Sequence, residues 1–205
     1  MSSPISLVAG GTGLVGSHVI NSLSKLHGSQ IILVRSFNSE IPNNGELKII
    51  NFDDLKSDKV QLRINIDHVY LCLGKKLLTY ELGYMQHASR ESFKLIDYEY
   101  PLLIAKLAFK NGARSISLVS AVGAQEGSFN YYFHIKGKLE NEIKKIGYEN
   151  ICFARPGHLL GQRKDFRGYE IPILEAGLRF AAPFMQGPIK NIKQFEAKQV
   201  ANSMI

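Results

Sequence analysis

The sequence predicts an α/β fold, a doubly wound parallel sheet with helices on both faces, and three observations carry that prediction. Short apolar runs alternate with longer amphipathic stretches along the chain. Most of those runs are near-continuous rather than strictly alternating, which suits strands covered on both faces. The first of them, "ISLVA", leads into "GGTGLVG", four glycines in seven positions, and then into a helical pattern.

The elements follow in order. A strand at 5–9 runs into the glycine turn, and a helix over 14–26 leaves it. Strands at 31–34, 47–51 and 68–73 come next, each an apolar run bounded by polar residues. A helix over 90–111 ends in "NGA", a strand occupies 115–120, and a helix over 131–146 ends in "IGY". Both glycines stand where helix C-caps favour them. A strand at 151–154 follows, and the final "FEAKQVANSMI" reads as a helix. Two stretches resist this pattern: "SFNSEIPNNG" (36–45) is a polar loop, and "GKKLLTYELGYMQHAS" (74–89) is long for a connection. Long loops at strand ends carry function more often than not.

With 205 residues, one domain over 1–205 is expected, with roughly 156–195 on the substrate side. No apolar run approaches the ~20 residues of a membrane span, and "MSSPISLVAGG" lacks the features of a signal peptide. Cys72 and Cys152 sit inside apolar runs as expected buried, reduced thiols, so a cytoplasmic, membrane-free protein is expected. The net charge of +7 raises the question of nucleic acid, but the Lys and Arg residues are scattered. Their densest cluster, "KGKLENEIKKIG", is interleaved with Glu140 and Glu142, as on a solvated helix face. No nucleic-acid partner is expected; anionic small molecules are the better use of the charge.

Gly10, Gly13 and Gly16 form G-x-x-G-x-x-G directly after a strand and before a helix, the context of a Rossmann dinucleotide turn. Gly10 permits the tight turn, Gly13 lets backbone N–H groups approach a pyrophosphate, and Gly16 lets the helix pack close to the strand. A P-loop would need Lys then Ser or Thr after its last glycine; Ser17 and His18 follow instead. The second strand ends in "LVRS", where NAD binders place a carboxylate. Arg35, followed by Ser36, suits a 2′-phosphate, so NADP (as NADPH) is favoured over NAD, with an ordinary surface arginine on a loop as the alternative. In "NFDDL", Asp54 is the expected acceptor for an adenine amine, with helix capping by Asp53 or Asp54 as the alternative. The expected cofactor contacts are Gly10, Thr12, Gly13, Leu14, Val15, Gly16, Arg35, Ser36, Asp54, Leu55, Leu73, Gly74, Tyr132, Lys136, Pro156 and Gly157.

In "FNYYFHIKGKLENEI", Tyr132 and Lys136 stand one helical turn apart and share a face. A nearby ammonium lowers a phenol's pKa toward the range of a general acid–base. Ser120 ends the preceding strand, where the ligand crevice of a parallel sheet opens, and its hydroxyl is placed to bond a substrate carbonyl.

A glycine turn, a strand-ending Ser and a following Y-x-x-x-K, in this order, resemble the short-chain dehydrogenase/reductase superfamily. More narrowly, "CLG" (72–74), "IDYEY" (96–100), "LVSAVGA" (118–124), "YFHIKG" (132–137) and "FARPGHLLGQR" (153–163) are similar to an atypical branch. That branch holds the Tat-interacting oxidoreductase-like proteins and bacterial NAD(P)H-binding or epimerase-like relatives. The resemblance runs from Ile5 to about Arg163. It implies that Tyr132 exchanges a proton with the substrate, Lys136 holds the ribose hydroxyls, and Ser120 polarises the carbonyl. It places Asp97 roughly where many reductases carry an active-site Asn, and Ser120–Ala121 where many carry paired serines.

Lys75, Lys76, Gln162, Arg163 and Arg167 lie on segments expected to ring the crevice, which suggests an acidic or phosphorylated carbonyl or alcohol substrate against the alternative of ordinary surface charge. His134 and His158 lack a second ligand at metal spacing, so no metal is expected. Two functions stay open: an NADP(H)-dependent oxidoreductase or epimerase-like enzyme, and an NADP(H)-binding regulator acting through protein partners with little turnover. Monomer and homodimer are both open.

Overall fold

A computed structural model describes residues 3–26, 28–35, 46–57, 60–77, 79–160 and 194–205. In chain order the elements are β1 (Ile5–Ala9), α1 (Leu14–Lys25), β2 (Ser29–Val34), β3 (Glu46–Ile49), a 3-10 helix (Phe52–Ser57) and β4 (His68–Leu71). Then come α2 (Thr79–Gly83), α3 (His87–Lys94), a π-helical turn (Leu95–Glu99), α4 (Tyr100–Lys110), β5 (Ser115–Val119), α5 (Tyr131–Lys144) and β6 (Asn150–Ala154). The last are β7 (His158–Leu160), β8 (Gln194–Glu196) and α6 (Ala197–Met204).

The first six strands form one parallel sheet in the order β3-β2-β1-β4-β5-β6, and β7 pairs in parallel with β8 separately. The strand order reverses between β1 and β4, so the crevice opens beyond the C-terminal ends of those two strands. Alternate residues of each strand feed opposite faces. On one face Leu7, Ile31, Val69 and Ile116 pack with Ile104 and Ala108 of α4 and with Leu139 and Ile143 of α5. On the other, Val8, Ile32 and Tyr70 pack with Val19 and Ile20 of α1 and with Val200 and Met204 of α6. The near-continuous apolar runs thus serve two cores at once.

Several expectations are refined. The 74–89 stretch is not simply a loop, since it holds α2 and the start of α3. The helix expected over 90–111 starts at His87 and passes through the π turn before α4. Pro101, in the first turn of α4, has no N–H to offer the carbonyl four residues back, and the ladder is interrupted there. Cys72 lies one residue past β4, and both cysteines are free thiols; burial pushes Cys72 up to about 12. The 36–45 loop, and most of the 156–195 region expected on the substrate side, lie outside the described residues.

Under α6 the sheet carries a polar patch. Ser117 donates its hydroxyl proton to the Met204 carbonyl (2.7 Å), so its oxygen accepts from Nε2–H of His68 at 2.9 Å. Burial lowers the His68 pKa from 6.5 to about 4. The unfolded chain therefore binds the extra proton first, and stability that is full above about pH 6.5 is lost as the pH falls toward 4. At ~1.4 kcal/mol per pKa unit the loss reaches about 3 kcal/mol. His68→Gln is expected to flatten the fall of the unfolding midpoint between those pH values. An equally steep fall in the variant would assign the acid sensitivity to other groups.

Candidate active site

The glycine turn sits at the C-terminal end of β1, at the switch point of the sheet. Gly10 has φ +85°, and a Cβ there would lie 2.6 Å from the Cys72 carbonyl carbon and oxygen at the exit of β4. A Cβ on Gly16 would come 2.2 Å from the Gly10 oxygen, so α1 can approach the turn this closely only with glycine at both positions. Gly13 caps α1 without a side-chain hydrogen bond, and the first turn holds no acidic residue. The positive end of the helix thus faces the turn uncompensated, as a dinucleotide's pyrophosphate requires. Thr12 is exposed beside it and Leu14 half-buried, whereas the Val15 side chain belongs to the core.

The residues expected on the adenosine side are less uniform. Arg35, directly after β2, is exposed, and Ser36 lies outside the described residues. The 3-10 helix is capped by neither Asp53 nor Asp54: Asn51 Oδ1 accepts from the Asp53 N–H (3.1 Å) and the Asn51 carbonyl from the Asp54 N–H (3.0 Å). Asp53 accepts instead from the Tyr100 hydroxyl at 2.9 Å, and Asp54 is left exposed. Burial raises the Tyr100 pKa, Asp53 raises it further, and the Arg35 charge opposes both. Leu55 turns its side chain into the core.

α5 begins at Tyr131 because Asn130 caps it, its Oδ1 accepting from the N–H of Tyr132 (2.9 Å) and of Phe133 (3.3 Å). That cap sets Tyr132 and Lys136 on consecutive turns. The Tyr132 ring packs on Phe93, with centroids 5.6 Å apart. Lys136 is buried, and its Nζ meets Asp97 Oδ1 at 2.8 Å, while Asp97 Oδ2 accepts from the Lys75 N–H at 2.7 Å. Asp97 thus stands in the π turn as a full counter-charge to Lys136 and ties it to the segment just past Leu73 and Gly74. A π turn inserted in a helix is frequent at functional sites.

This pairing corrects the acid–base expectation. Burial raises the Tyr132 pKa, Lys136 pulls it down and Asp97 pushes it up again, leaving the phenol above its ordinary value rather than below it. Burial alone would lower Lys136, but Asp97, Tyr132 and Glu140 together hold it above its usual range.

Ser120 is brought to the end of β5 but not to the open crevice. It is 3% exposed, and its hydroxyl donates to Glu140 Oε1 at 2.6 Å. Arg155 donates from Nε to the same oxygen (2.8 Å) and from Nη2 to Oε2. Glu140, read from the sequence as part of a solvated face with Glu142, is 2% exposed, and only the Glu142 half of that reading holds. Its spacing four residues beyond Lys136 was the available signal, because it continues the Tyr132–Lys136 face by one turn. Pro156 and Gly157 follow β6, and the Pro156 carbonyl accepts from the Val122 N–H at 3.0 Å. The Lys75 ammonium is engaged by α3, bonding Ser92 Oγ (2.8 Å) and the Ser89 carbonyl (3.3 Å). Gln162, Arg163, Arg167 and the His158 side chain lie outside the described residues. Among the described residues no group of three or more His, Cys, Asp or Glu could hold a metal ion.

No protein-family model matches the chain. Over 199 residues it is 29% identical to protein FMP52, mitochondrial, of Candida albicans, across 95% of this chain and 84% of that one. Over 132 residues it is 26% identical to HTATIP2 of Rattus norvegicus, across 64% of this chain and 51% of that protein. The chain is thus similar to FMP52 and HTATIP2, in keeping with the resemblance to the atypical short-chain dehydrogenase/reductases. Its architecture is shared with UDP-glucose 4-epimerase of Thermotoga maritima, at TM-score 0.70 and 15% identity over 98% of this chain and 72% of that one. A short-chain dehydrogenase of Streptomyces avermitilis superposes at 0.64 with 14% identity, over 98% and 82% of the two chains. The fold is therefore the one these epimerases and dehydrogenases share; MoeE5, a further neighbour at TM-score 0.58 and 16% identity over 78% of this chain and 57% of that one, is solved with UDP-glucuronic acid and NAD. One expectation is overturned. The FMP52 relatives are mitochondrial by name, against the cytoplasmic placement drawn from Cys72 and Cys152. Reduced thiols report redox conditions, which more than one compartment provides. Among the described residues no helix is long and apolar enough to cross a membrane.

Proposed function

We infer that this protein is an NADP(H)-dependent oxidoreductase or epimerase-like enzyme acting on a carbonyl or alcohol, with Tyr132 as the proton-exchanging group. The observation that carries the reading is the joint placement of an uncompensated α1 N-terminus at the switch point and the Tyr132–Lys136 pair on α5. Bound NADPH supplies the hydride. In the reductive direction Tyr132 donates its proton to the substrate oxygen, and solvent returns one to the phenolate. Lys136, held by Asp97, offers its remaining N–H donors to ribose hydroxyls. Gly10, Thr12, Gly13 and Leu14 present backbone to the pyrophosphate, and Leu73, Gly74, Pro156 and Gly157 bound the nicotinamide side. The apolar cluster of Phe93, Met85 and Ile135, on which Tyr132 packs, and the engagement of the Lys75 ammonium by Ser92 favour a substrate less acidic than the sequence suggests. The unit is a single nucleotide-binding domain with 156–195 on the substrate side, and the names of the FMP52 relatives support a mitochondrial location.

Arg35 supports NADP(H) over NAD(H), because an exposed guanidinium at the end of β2 suits a 2′-phosphate. Titration followed by nucleotide fluorescence is expected to give tighter NADPH than NADH binding, and Arg35→Ala to narrow the gap by about tenfold, the worth of one charge-assisted contact. Equal affinities in the unsubstituted chain would remove the argument from Arg35.

A second reading, an NADP(H)-binding regulator with little turnover, is favoured by the Ser120 hydroxyl, whose one proton is already given to Glu140. A screen of aldehydes, ketones and nucleotide sugars with NADPH separates the two. Tyr132-dependent oxidation of NADPH supports the enzyme; saturable NADPH binding without it supports the regulator.

A further inference from the structure

Ser120, Glu140 and Arg155 come from the exit of β5, from α5 and from the exit of β6, and they meet at one carboxylate. Glu140 is 2% exposed, and burying an ionised carboxylate costs several kcal/mol unless charge and hydrogen bonds offset it. Both are present: a two-pronged guanidinium contact and a hydroxyl at 2.6 Å. The Arg155 side chain is 47% exposed at the far end of this contact, so the buried member that organises the group is the glutamate. The backbone is joined at the same place, with the Ser120 N–H on the Ala154 carbonyl (2.7 Å) and the Val122 N–H on the Pro156 carbonyl. A serine hydroxyl has one proton, and the neighbouring residue, Ala121, carries no hydroxyl.

We propose that Glu140 is a positioning residue of this site: it latches the Ser120 hydroxyl and the Arg155 guanidinium together, so that Ser120 acts through Glu140 and Tyr132 alone gives the proton to the substrate. The latch holds the loop after β5 and the Arg155–Gly157 turn in one arrangement along the crevice. It rests on the oxidoreductase reading for its consequence but not for its existence, and two measurements keep these apart.

The first is thermal unfolding without nucleotide, on Ser120→Ala, Arg155→Met, Glu140→Gln and their pairwise combinations. Ser120→Ala and Arg155→Met each lower the midpoint in the unsubstituted background and add almost nothing in the Glu140→Gln background. Additive losses would overturn the latch. The second is NADPH affinity by fluorescence, which Glu140→Gln and Arg155→Met weaken by about tenfold, the double variant being no weaker than either. Tyr148→Phe serves as the control: it removes a buried hydrogen bond to the Ala105 carbonyl, lowers the midpoint, and leaves NADPH affinity unchanged. Unchanged affinity in Glu140→Gln, or a loss in Tyr148→Phe as large as in Glu140→Gln, would overturn the positioning role. With a carbonyl probe such as phenanthrenequinone, the loss in kcat from Ser120→Ala disappears in the Glu140→Gln background. A loss that persists there would show the hydroxyl acting on substrate. Coupled midpoints in a chain that binds no NADPH would refute the oxidoreductase reading and leave the latch standing.

Discussion

Tyr132→Phe is expected to remove NADPH-dependent turnover while leaving the fold and nucleotide affinity nearly unchanged. The phenylalanine ring keeps the packing on Phe93, 5.6 Å between centroids, and the Asn130 cap bonds only backbone at this position. Only the transferable proton is lost. A positioned general acid contributes about 10²- to 10⁴-fold, so kcat should fall by that factor with KM for NADPH within about twofold. The pH profile follows from the direction in which the phenol is shifted. Tyr132 lies above its ordinary value, chiefly through burial, so it stays protonated across the neutral range. Reduction, which uses the acid form, should be flat between about pH 6 and 9, and oxidation, which needs the phenolate, should rise throughout that interval. Activity that survives in Tyr132→Phe would move the proton donor elsewhere. A reduction rate falling through neutral pH would show the phenol acidified after all.

Asp97→Ala should give the largest loss of stability of any single substitution at this site. The carboxylate is 2% exposed, sits 2.8 Å from the buried Lys136 ammonium and accepts the Lys75 N–H. Removing it strands a cation whose next negative neighbour, Glu140, is already engaged by Arg155 and Ser120. Breaking a buried pair from one side costs about 3–5 kcal/mol. For a chain of this size that is roughly 10–15 °C in the unfolding midpoint. Without Asp97, burial opposes the Lys136 charge with only Tyr132 and Glu140 to offset it, so the folded chain holds that proton less tightly than before. The deficit should therefore shrink as pH rises toward the ordinary lysine range. Asp97→Asn keeps the shape and an acceptor for Lys75 but removes the charge that pushes Tyr132 up, so the alkaline limb of reduction should move to lower pH. A midpoint change under about 3 °C in Asp97→Ala, or an unmoved limb in Asp97→Asn, would show the pair to be slack.

Much of this architecture is written locally. The apolar runs of β1, β2, β4, β5 and β6 are recognisable because each strand must satisfy two cores, and that leaves no polar face to disguise it. The "GGTGLVG" turn is legible because two contacts inside a few residues, Gly10 with the β4 exit and Gly16 with Gly10, exclude any side chain. Tyr132 and Lys136 are legible because the period of a helix fixes which residues share a face. The break in the 90–111 helix was also present in the sequence, as Pro101.

What a residue's neighbours do to it was not. The pairing of Asp97 with Lys136 joins a π turn to a helix that follows a whole strand later, and no spacing rule reaches across that distance. The direction of the Ser120 hydroxyl depends on Glu140 and Arg155, which arrive from two other elements. The acidity of Tyr132 depends on how deeply the ring is enclosed and on whether the Lys136 charge is already answered. Backbone conformation and periodic faces are set by residues a few positions apart, so the chain alone specifies them. Burial and charge compensation are sums over everything that packs nearby, and only the assembled sheet and helices determine those.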